Sequence, residues 1–186
     1  MTTTTGGGFA IGGTDGKIRL YKKGAKDANT ILPGLSDPIL YLEVTRDSKW
    51  ILATTQTYLL LIPTELVNGK TGFDQRMQNQ KPVPIKLELL PTDIAANQIY
   101  QVRFKAARFN SHLGGESHIV TSTGDNLITW DFKEVRAGKR SNYKITKLLS
   151  KPVDCQFRIN TDDKIIVTDE SKVGLQIRRK KQAINY

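Results

Sequence analysis

The stretch Lys49–Ile62 reads K-W-I-L-A-T-T-Q-T-Y-L-L-L-I and contains two closely spaced apolar runs. Trp50–Thr54 and Tyr58–Ile62 are rich in leucine, aromatic and β-branched side chains, and neither run contains a charge, a glycine or a proline. Short continuous apolar runs of this kind are typical of strands that are buried on both faces. The sequence therefore predicts a hairpin that needs a neighbour on each side.

The same pairing of strand-like runs recurs along the chain around polar turns. The turns are centred near Asp15, Gln56, Asp125 and Glu170, at spacings of 41, 69 and 45 residues. Propeller blades repeat about every 40–45 residues, and removing an insertion of about 28 residues from the middle interval gives that period throughout. A β-sandwich has shorter and less regular spacings, so it is the less favoured alternative.

This repeat predicts an all-β chain, a WD-repeat-like β-propeller of roughly three and a half blades that is incomplete or open. We expect the chain to begin at an inner hairpin rather than at a complete blade. The hairpin of Lys49–Ile62 should then lie between the unit at Phe9–Tyr21 and the unit at Gln98–Phe132. Gln98–Phe104 is predicted as a strand with its apolar residues mostly inward, and Lys133–Ser141 as a basic loop.

One propeller segment is predicted over residues 1–186, with two departures from the repeat. Residues 66–97 are interpreted as an inserted loop region, because prolines interrupt them and only Ile85–Leu90 has the character of a strand. Residues 178–186 are interpreted as a flexible basic tail.

The composition indicates a soluble intracellular protein. The chain has a formal net charge of +10 and a single cysteine, Cys155, which excludes an internal disulfide framework and fits a reducing compartment. No run approaches the roughly 18 apolar residues of a membrane span. Met1–Gly8 has neither the basic head nor the apolar middle of a signal peptide. We expect the cytoplasm as the location, with the nucleus as the alternative.

No catalytic, cofactor-binding or metal-binding residue is predicted, and no small-molecule substrate is implied. His112 and His118 flank Glu116 in a glycine-containing loop, but a metal site needs three or four ligands, so surface histidines are favoured. Cys155 alternates with apolar residues and is interpreted as an inert buried thiol. The sequence contains no dinucleotide fingerprint, phosphate loop or nucleophile elbow.

Two groups of basic residues are the candidates for contact with an anionic partner, one after Trp130-Asp131 and one at the end of the chain. The candidate contacts are Lys139, Arg140, Lys144, Arg178, Arg179 and Lys180. Charge runs are more often solvated surface than binding sites. Few aromatic residues lie among these charges, which gives base stacking little support. An acidic protein, an anionic membrane and RNA all stay open as partners.

Three segments resemble the C-terminal propeller of the vacuolar import and degradation protein 27 family: Phe9–Tyr21, Trp50–Ile62 and Thr121–Phe132. The third segment contains Trp130-Asp131, placed where a WD repeat has its signature dipeptide. The resemblance covers nearly the whole chain and implies a WD-repeat-like propeller in a cytoplasmic protein. It offers no catalytic residue to carry over.

The resemblance also implies a function. It indicates a non-enzymatic protein-interaction scaffold, linked by name to vacuolar import and degradation. Members of the family are larger and contain earlier blades. We therefore expect a protein partner that is either the missing part of the propeller or another copy of this chain. Binding of RNA or of an anionic membrane through the basic surface is the alternative function.

Overall fold

The computed structural model describes residues 1–78, 82–110, 115–161 and 163–177. In these ranges fifteen strands form four antiparallel sheets, and two short helices lie in connections between strands. Each sheet is built from strands that follow one another along the chain, which is the organisation of propeller blades. We call the sheets blades 1 to 4 in chain order, and the predicted all-β class is confirmed.

The first three blades have four strands each, and the last has three in the described part of the chain. Blade 1 comprises β1 (Thr2–Thr3), β2 (Phe9–Gly12), β3 (Ile18–Tyr21) and β4 (Thr30–Leu32). Blade 2 comprises β5 (Tyr41–Val44), β6 (Trp50–Thr54), β7 (Leu59–Pro63) and β8 (Ile85–Leu87). Blade 3 comprises β9 (Arg108–Phe109), β10 (His118–Thr123), β11 (Asn126–Asp131) and β12 (Tyr143–Lys147). Blade 4 comprises β13 (Asp154–Phe157), β14 (Lys164–Thr168) and β15 (Val173–Ile177), while α1 (Pro91–Ala96) follows β8 and α2 (Phe132–Arg136) follows β11.

The predicted hairpin of Lys49–Ile62 forms β6 and β7 at the centre of blade 2. Thr54 pairs with Leu59 and Trp50 pairs with Pro63, so the second strand begins and ends one residue later than predicted. Every residue from Ile51 to Thr54 and from Leu59 to Ile62 is buried. Successive side chains of a strand point to opposite faces, so this burial requires a cover on each side of the sheet.

Blades 1 and 3 supply these two covers. On one face, Ile51, Ala53, Leu60 and Ile62 share a hydrophobic cluster with residues of blade 1, namely Ala10, Ile18, Leu20 and Leu32. On the other face, Leu52, Leu59 and Leu61 share a cluster with residues of blade 3, which include Phe109, Ile119, Ile128 and Trp130. The predicted position of the hairpin between the flanking units is confirmed.

The blades form an open stack. Blade 3 packs on blade 4 through a smaller cluster of Val120, Leu127, Cys155, Phe157 and Ile165. No hydrophobic cluster among the described residues joins blade 4 back to blade 1. Within the described ranges, the outer faces of the two end blades are therefore uncovered. We call them end faces: Ile11 and Ile31 are 36% and 43% exposed on blade 1, and Val173 and Leu175 are 71% and 52% exposed on blade 4.

Trp130 and Asp131 fix the connection at the end of β11. The Trp130 side chain is fully buried, and its Nε1–H donates a hydrogen bond to the Arg140 carbonyl oxygen at 3.2 Å. Asp131 caps α2, because its Oδ1 accepts a hydrogen bond from the Glu134 amide at 3.0 Å. Asp131 thus fixes the start of the connection between β11 and β12, and Trp130 fixes the part near its end, at Arg140.

Part of the long connection after β7 packs back on the blades. Phe73 and Met77 are buried in the cluster that blades 1 and 2 share. The side chain of Asn29 donates hydrogen bonds to the Gly72 and Phe73 carbonyl oxygens at 3.1 and 3.2 Å. Further along, the Tyr143 hydroxyl accepts from the Leu90 amide at 2.7 Å and thereby ties this connection to blade 3.

Four details differ from the expectations. The chain begins with a complete blade, since β1 pairs with β2 and gives blade 1 its fourth strand. Gln98–Phe104 is not a strand; the first strand of blade 3 is the short β9. Lys133–Ser141 is not only a loop, because the Asp131 cap starts α2 one residue earlier, at Phe132. His118 is a buried residue of β10 rather than a surface loop histidine, and His112 lies outside the described residues.

Burial of blade 2 on both faces makes a testable prediction. Leu60 and Leu61 are adjacent and fully buried, but they belong to different clusters. Replacing either one by alanine should lower the free energy of unfolding by about 2–5 kcal/mol, because each change leaves a cavity in a packed interface. Chemical denaturation monitored by circular dichroism measures this loss.

Val83→Ala is the matched control, because Val83 is 84% exposed and its shortening should change stability little. A large loss for only one of the two leucine variants would contradict the two-sided packing of blade 2.

Candidate interaction surfaces

The connections between strands lie at two opposite ends of the blade stack, because adjacent strands run antiparallel. Connections that follow even-numbered strands lie at one end, which includes α1, and we call it the α1 end. Connections that follow odd-numbered strands lie at the other end, which includes α2, and we call it the α2 end. Each end collects loops from all four blades, as loops do in propellers.

Hydrogen bonds between blades fix the loops at both ends. At the α2 end, the Thr5 hydroxyl donates to the Arg46 carbonyl oxygen at 3.2 Å, and the Arg46 amide donates to Glu116 Oε1 at 2.7 Å. At the α1 end, the Phe104 amide donates to the Gln56 carbonyl oxygen at 2.8 Å. These hydrogen bonds therefore fix the positions of loops from neighbouring blades relative to one another.

A polar cluster joins the first strands of blades 2, 3 and 4. Arg108 of β9 forms an ion pair with Asp154 of β13 at 2.9 Å between Nη2 and Oδ2. The same guanidinium donates to the Tyr41 hydroxyl and lies 4.9 Å from the centre of the Tyr41 ring, within the range of a cation–π contact. Arg108 therefore links three consecutive blades through a single side chain.

Glu43 lies beside this cluster and accepts a hydrogen bond from the Phe109 amide. Burial raises the pKa of Glu43 to about 7, and the nearby carboxylates Glu116 and Asp154 act in the same direction. The Phe109 hydrogen bond and the charge of Arg108 oppose the increase in pKa. Near neutral pH this carboxyl group is consequently divided between its protonated and ionised forms.

Three of the candidate anion contacts lie in the described part of the chain. Lys139 and Arg140 lie in the α2-end loop after α2, where Lys139 pairs with Glu134 at 3.3 Å. Lys144 lies on β12, opposite Thr129, at the outer side of blade 3. Arg178, Arg179 and Lys180 lie outside the described residues. Their role in binding stays a prediction.

Sequence patterns missed an exposed aromatic side chain at the α1 end. Tyr100 is 97% exposed, whereas its neighbour Ile99 is only 6% exposed. The two residues follow α1, and Gln98 adopts a left-handed backbone conformation at φ 53° that ends the helix. Pro91 marks the start of α1, but no local pattern after the helix indicates that the chain stays irregular as far as Arg108.

Residue types that carry chemistry are dispersed in the described part of the chain. No group of three or more His, Cys, Asp or Glu side chains in those ranges could hold a metal ion. Cys155 is fully buried, and burial raises the pKa of its thiol to about 12. The reactive thiolate is therefore not available at neutral pH.

Comparison with known proteins decides the family. A family profile described as the VID27 C-terminal WD40-like domain matches residues 1–185. The chain belongs to the VID27 family. This assignment, with the four antiparallel sheets, confirms the interpretation of the fold as an open WD-repeat-like propeller.

Two curated relatives share the family. Vacuolar import and degradation protein 27 of Schizosaccharomyces pombe (strain 972 / ATCC 24843) is 34% identical over 182 residues, which cover 93% of this chain and 23% of that protein. The protein of the same name from Saccharomyces cerevisiae (strain ATCC 204508 / S288c) is 33% identical over 187 residues, with coverage of 93% and 24%. The chain thus spans about a quarter of the length of these VID27 relatives.

Among the residues that the structure describes, neither helix has the length or the apolar character to cross a bilayer.

Glu43 predicts a pH dependence of stability. Its folded pKa lies above the ordinary value of 4.5, so the folded state binds the proton more tightly than the unfolded state does. Stability should then fall as the pH rises from about 4.5 to about 7. Glu43→Gln removes the ionisation and can still accept the Phe109 hydrogen bond. It should raise the free energy of unfolding at pH 8 by up to about 3 kcal/mol.

Urea unfolding at several pH values measures this effect, and the advantage of the variant should shrink toward pH 5. Glu88→Gln is the control, because the Glu88 side chain is 55% exposed in its pair with Lys86. Parallel pH profiles for wild type and Glu43→Gln would show that Glu43 is not the group responsible.

Proposed function

We propose that this chain is a non-enzymatic scaffold whose exposed faces bind other proteins. The two curated VID27 relatives are named for vacuolar import and degradation. We propose that the chain acts in that process, in the cytoplasm, with the nucleus as the alternative location. WD40-like propellers present loops and blade faces on a rigid frame. Partner binding through such surfaces needs no catalytic residue.

The observation that carries this proposal is the pair of uncovered end faces. Where one blade covers another, side chains such as Leu60 and Leu61 are fully buried. On the end faces, apolar side chains such as Ile31 and Leu175 are 43% and 52% exposed. Apolar blade faces that are covered inside the stack are thus open at its two ends.

The energy of covering an end face favours a protein partner. An apolar face on the order of 400 Å² corresponds to about 10 kcal/mol when it is removed from water. This energy is comparable to the whole stability of a typical domain, about 5–15 kcal/mol. We propose that either the missing part of the propeller or another copy of the chain supplies the cover. The length of the VID27 relatives leaves room for further blades.

Association through the end faces can be measured on the isolated chain. Light scattering over a range of concentrations should show self-association, and Leu175→Glu should weaken it about tenfold or more, because a carboxylate on the face must be desolvated. Val67→Glu is the matched control, because Val67 is 92% exposed in the connection after β7. A monomer at every concentration, with cooperative unfolding, would contradict the proposal.

The net charge of +10 supports a second candidate function, the binding of RNA or of an anionic membrane. This alternative uses the predicted contacts Lys139, Arg140, Arg178 and Arg179. Lys139 already has an acidic partner in Glu134, which weakens the case for that residue.

Salt dependence tests the second candidate. Binding of an RNA oligonucleotide or of anionic vesicles should fall steeply with salt, and changing Lys139, Arg140, Arg178 and Arg179 to Glu should abolish it. Fluorescence anisotropy and vesicle co-sedimentation are the measurements. Absence of binding at about 50 mM salt excludes this function.

A further inference from the structure

A groove at the α1 end lies where the connection from blade 2 to blade 3 meets the β10–β11 turn and the end of β12. Its volume is about 360 Å³. The lining residues are Gln98, Ile99, Tyr100, Gln101, Gly124, Asp125, Asn126, Lys147 and Lys151. The groove therefore combines one aromatic side chain with amides and two lysines.

The backbone on one side of the groove is held firmly. The Ile99 amide donates to the Ile94 carbonyl oxygen at 2.9 Å, and the Ile99 side chain is buried. Beyond Tyr100, the Arg103 amide donates to Thr123 Oγ1 at 2.8 Å and the Lys105 amide donates to the Ser122 carbonyl oxygen at 2.9 Å. Tyr100 is consequently presented to solvent by a segment that is anchored on both sides.

The opposite side of the groove is the connection between β12 and β13. The Leu148 amide donates to the Asp125 carbonyl oxygen at 2.8 Å, and the Val153 amide donates to the Thr168 carbonyl oxygen at 2.7 Å. Leu149 lies between these two anchors and is fully exposed, and the side chain of Val153 is 53% exposed. Exposed tyrosine and aliphatic side chains on a fixed backbone are typical of a binding surface, because ordering them costs little entropy.

The lining of the groove has two lysines and one acidic residue. Asp125 is the single acidic residue in its lining, and it is already paired with Lys147 at 2.9 Å. Arg103, Lys105 and Lys151 have exposed side chains, and none of them forms an ion pair within the part of the chain that the structure describes. A ligand with carboxylates would find Lys151 in the groove, with Arg103 and Lys105 on the adjoining segment.

We propose that this groove binds an acidic peptide segment of a partner protein, with an apolar side chain of the peptide packed against Tyr100. A carboxylate of the segment pairs with Lys151, and a further carboxylate competes with Asp125 for Lys147. An RNA strand fits less well, because successive bases need several stacking platforms and Tyr100 is the one aromatic side chain that lines the groove. The proposal rests on the protein-binding function above and assigns it a site.

The test is fluorescence anisotropy with labelled peptides of alternating Glu, Phe and Ser. Two matched peptides replace either every Glu by Lys or every Phe by Ser, and both should bind at least about tenfold more weakly. Tyr100→Ser and Lys151→Glu should each weaken binding of the acidic peptide by about tenfold or more. Lys26→Glu, the same charge reversal at an exposed lysine in the connection after β3 at the α2 end, should leave it unchanged.

Equal thermal unfolding of the variants and the wild type shows that the fold is intact, as the exposure of Tyr100 and Lys151 leads us to expect. Equal peptide affinity in all variants, or no binding of the acidic peptide, overturns the proposal. Stronger binding of an RNA oligonucleotide or an anionic vesicle with the same dependence on Tyr100 also overturns it. Self-association through the end faces is measured separately, so failure of the groove and failure of the scaffold function are distinguishable.

Discussion

Burial of both faces of the β6–β7 hairpin is the constraint on which the rest of the structure depends. The hairpin has no polar face that could be left to solvent, so blade 2 is stable only with a sheet on each side. Blades 1 and 3 supply those sheets through two separate clusters, and each of them then has a second face to cover. For blade 3 the cover is blade 4, whereas the far face of blade 1 stays open.

The apolar contacts between blades lie mainly on the middle strands, whereas a polar cluster connects the first strands, and the two differ in what they contribute to stability. The large side chains of the middle strands provide most of the packing, while Arg108, Tyr41 and Asp154 connect the first strands. An ion pair that is partly exposed contributes little to stability, so this cluster serves mainly to fix the geometry of neighbouring blades. Glu43 is retained there although burial disfavours its charge, and the Phe109 hydrogen bond offsets part of that cost.

Sequence patterns were most reliable where one physical effect dominated. Trp50–Thr54 was predicted with its correct bounds, because continuous apolar runs between polar turns leave few alternatives to a buried strand. Gln98–Phe104 was predicted wrongly, because its apolar spacing is that of a strand although the chain leaves α1 irregularly and blade 3 begins only at Arg108. The exposure of Tyr100 depends on hydrogen bonds to Thr123 and Ser122, which are distant in sequence and follow no local pattern.

The open stack has a consequence for how the molecule opens and unfolds. Each blade packs mainly on its neighbours in the chain, so the stack behaves like a one-dimensional array in which stability is the sum of intrinsic and nearest-neighbour contributions. An inner blade is held by two interfaces and an end blade by one. Blade 4 packs on the stack through the smallest cluster, so local opening should begin there and reach the β6–β7 hairpin last.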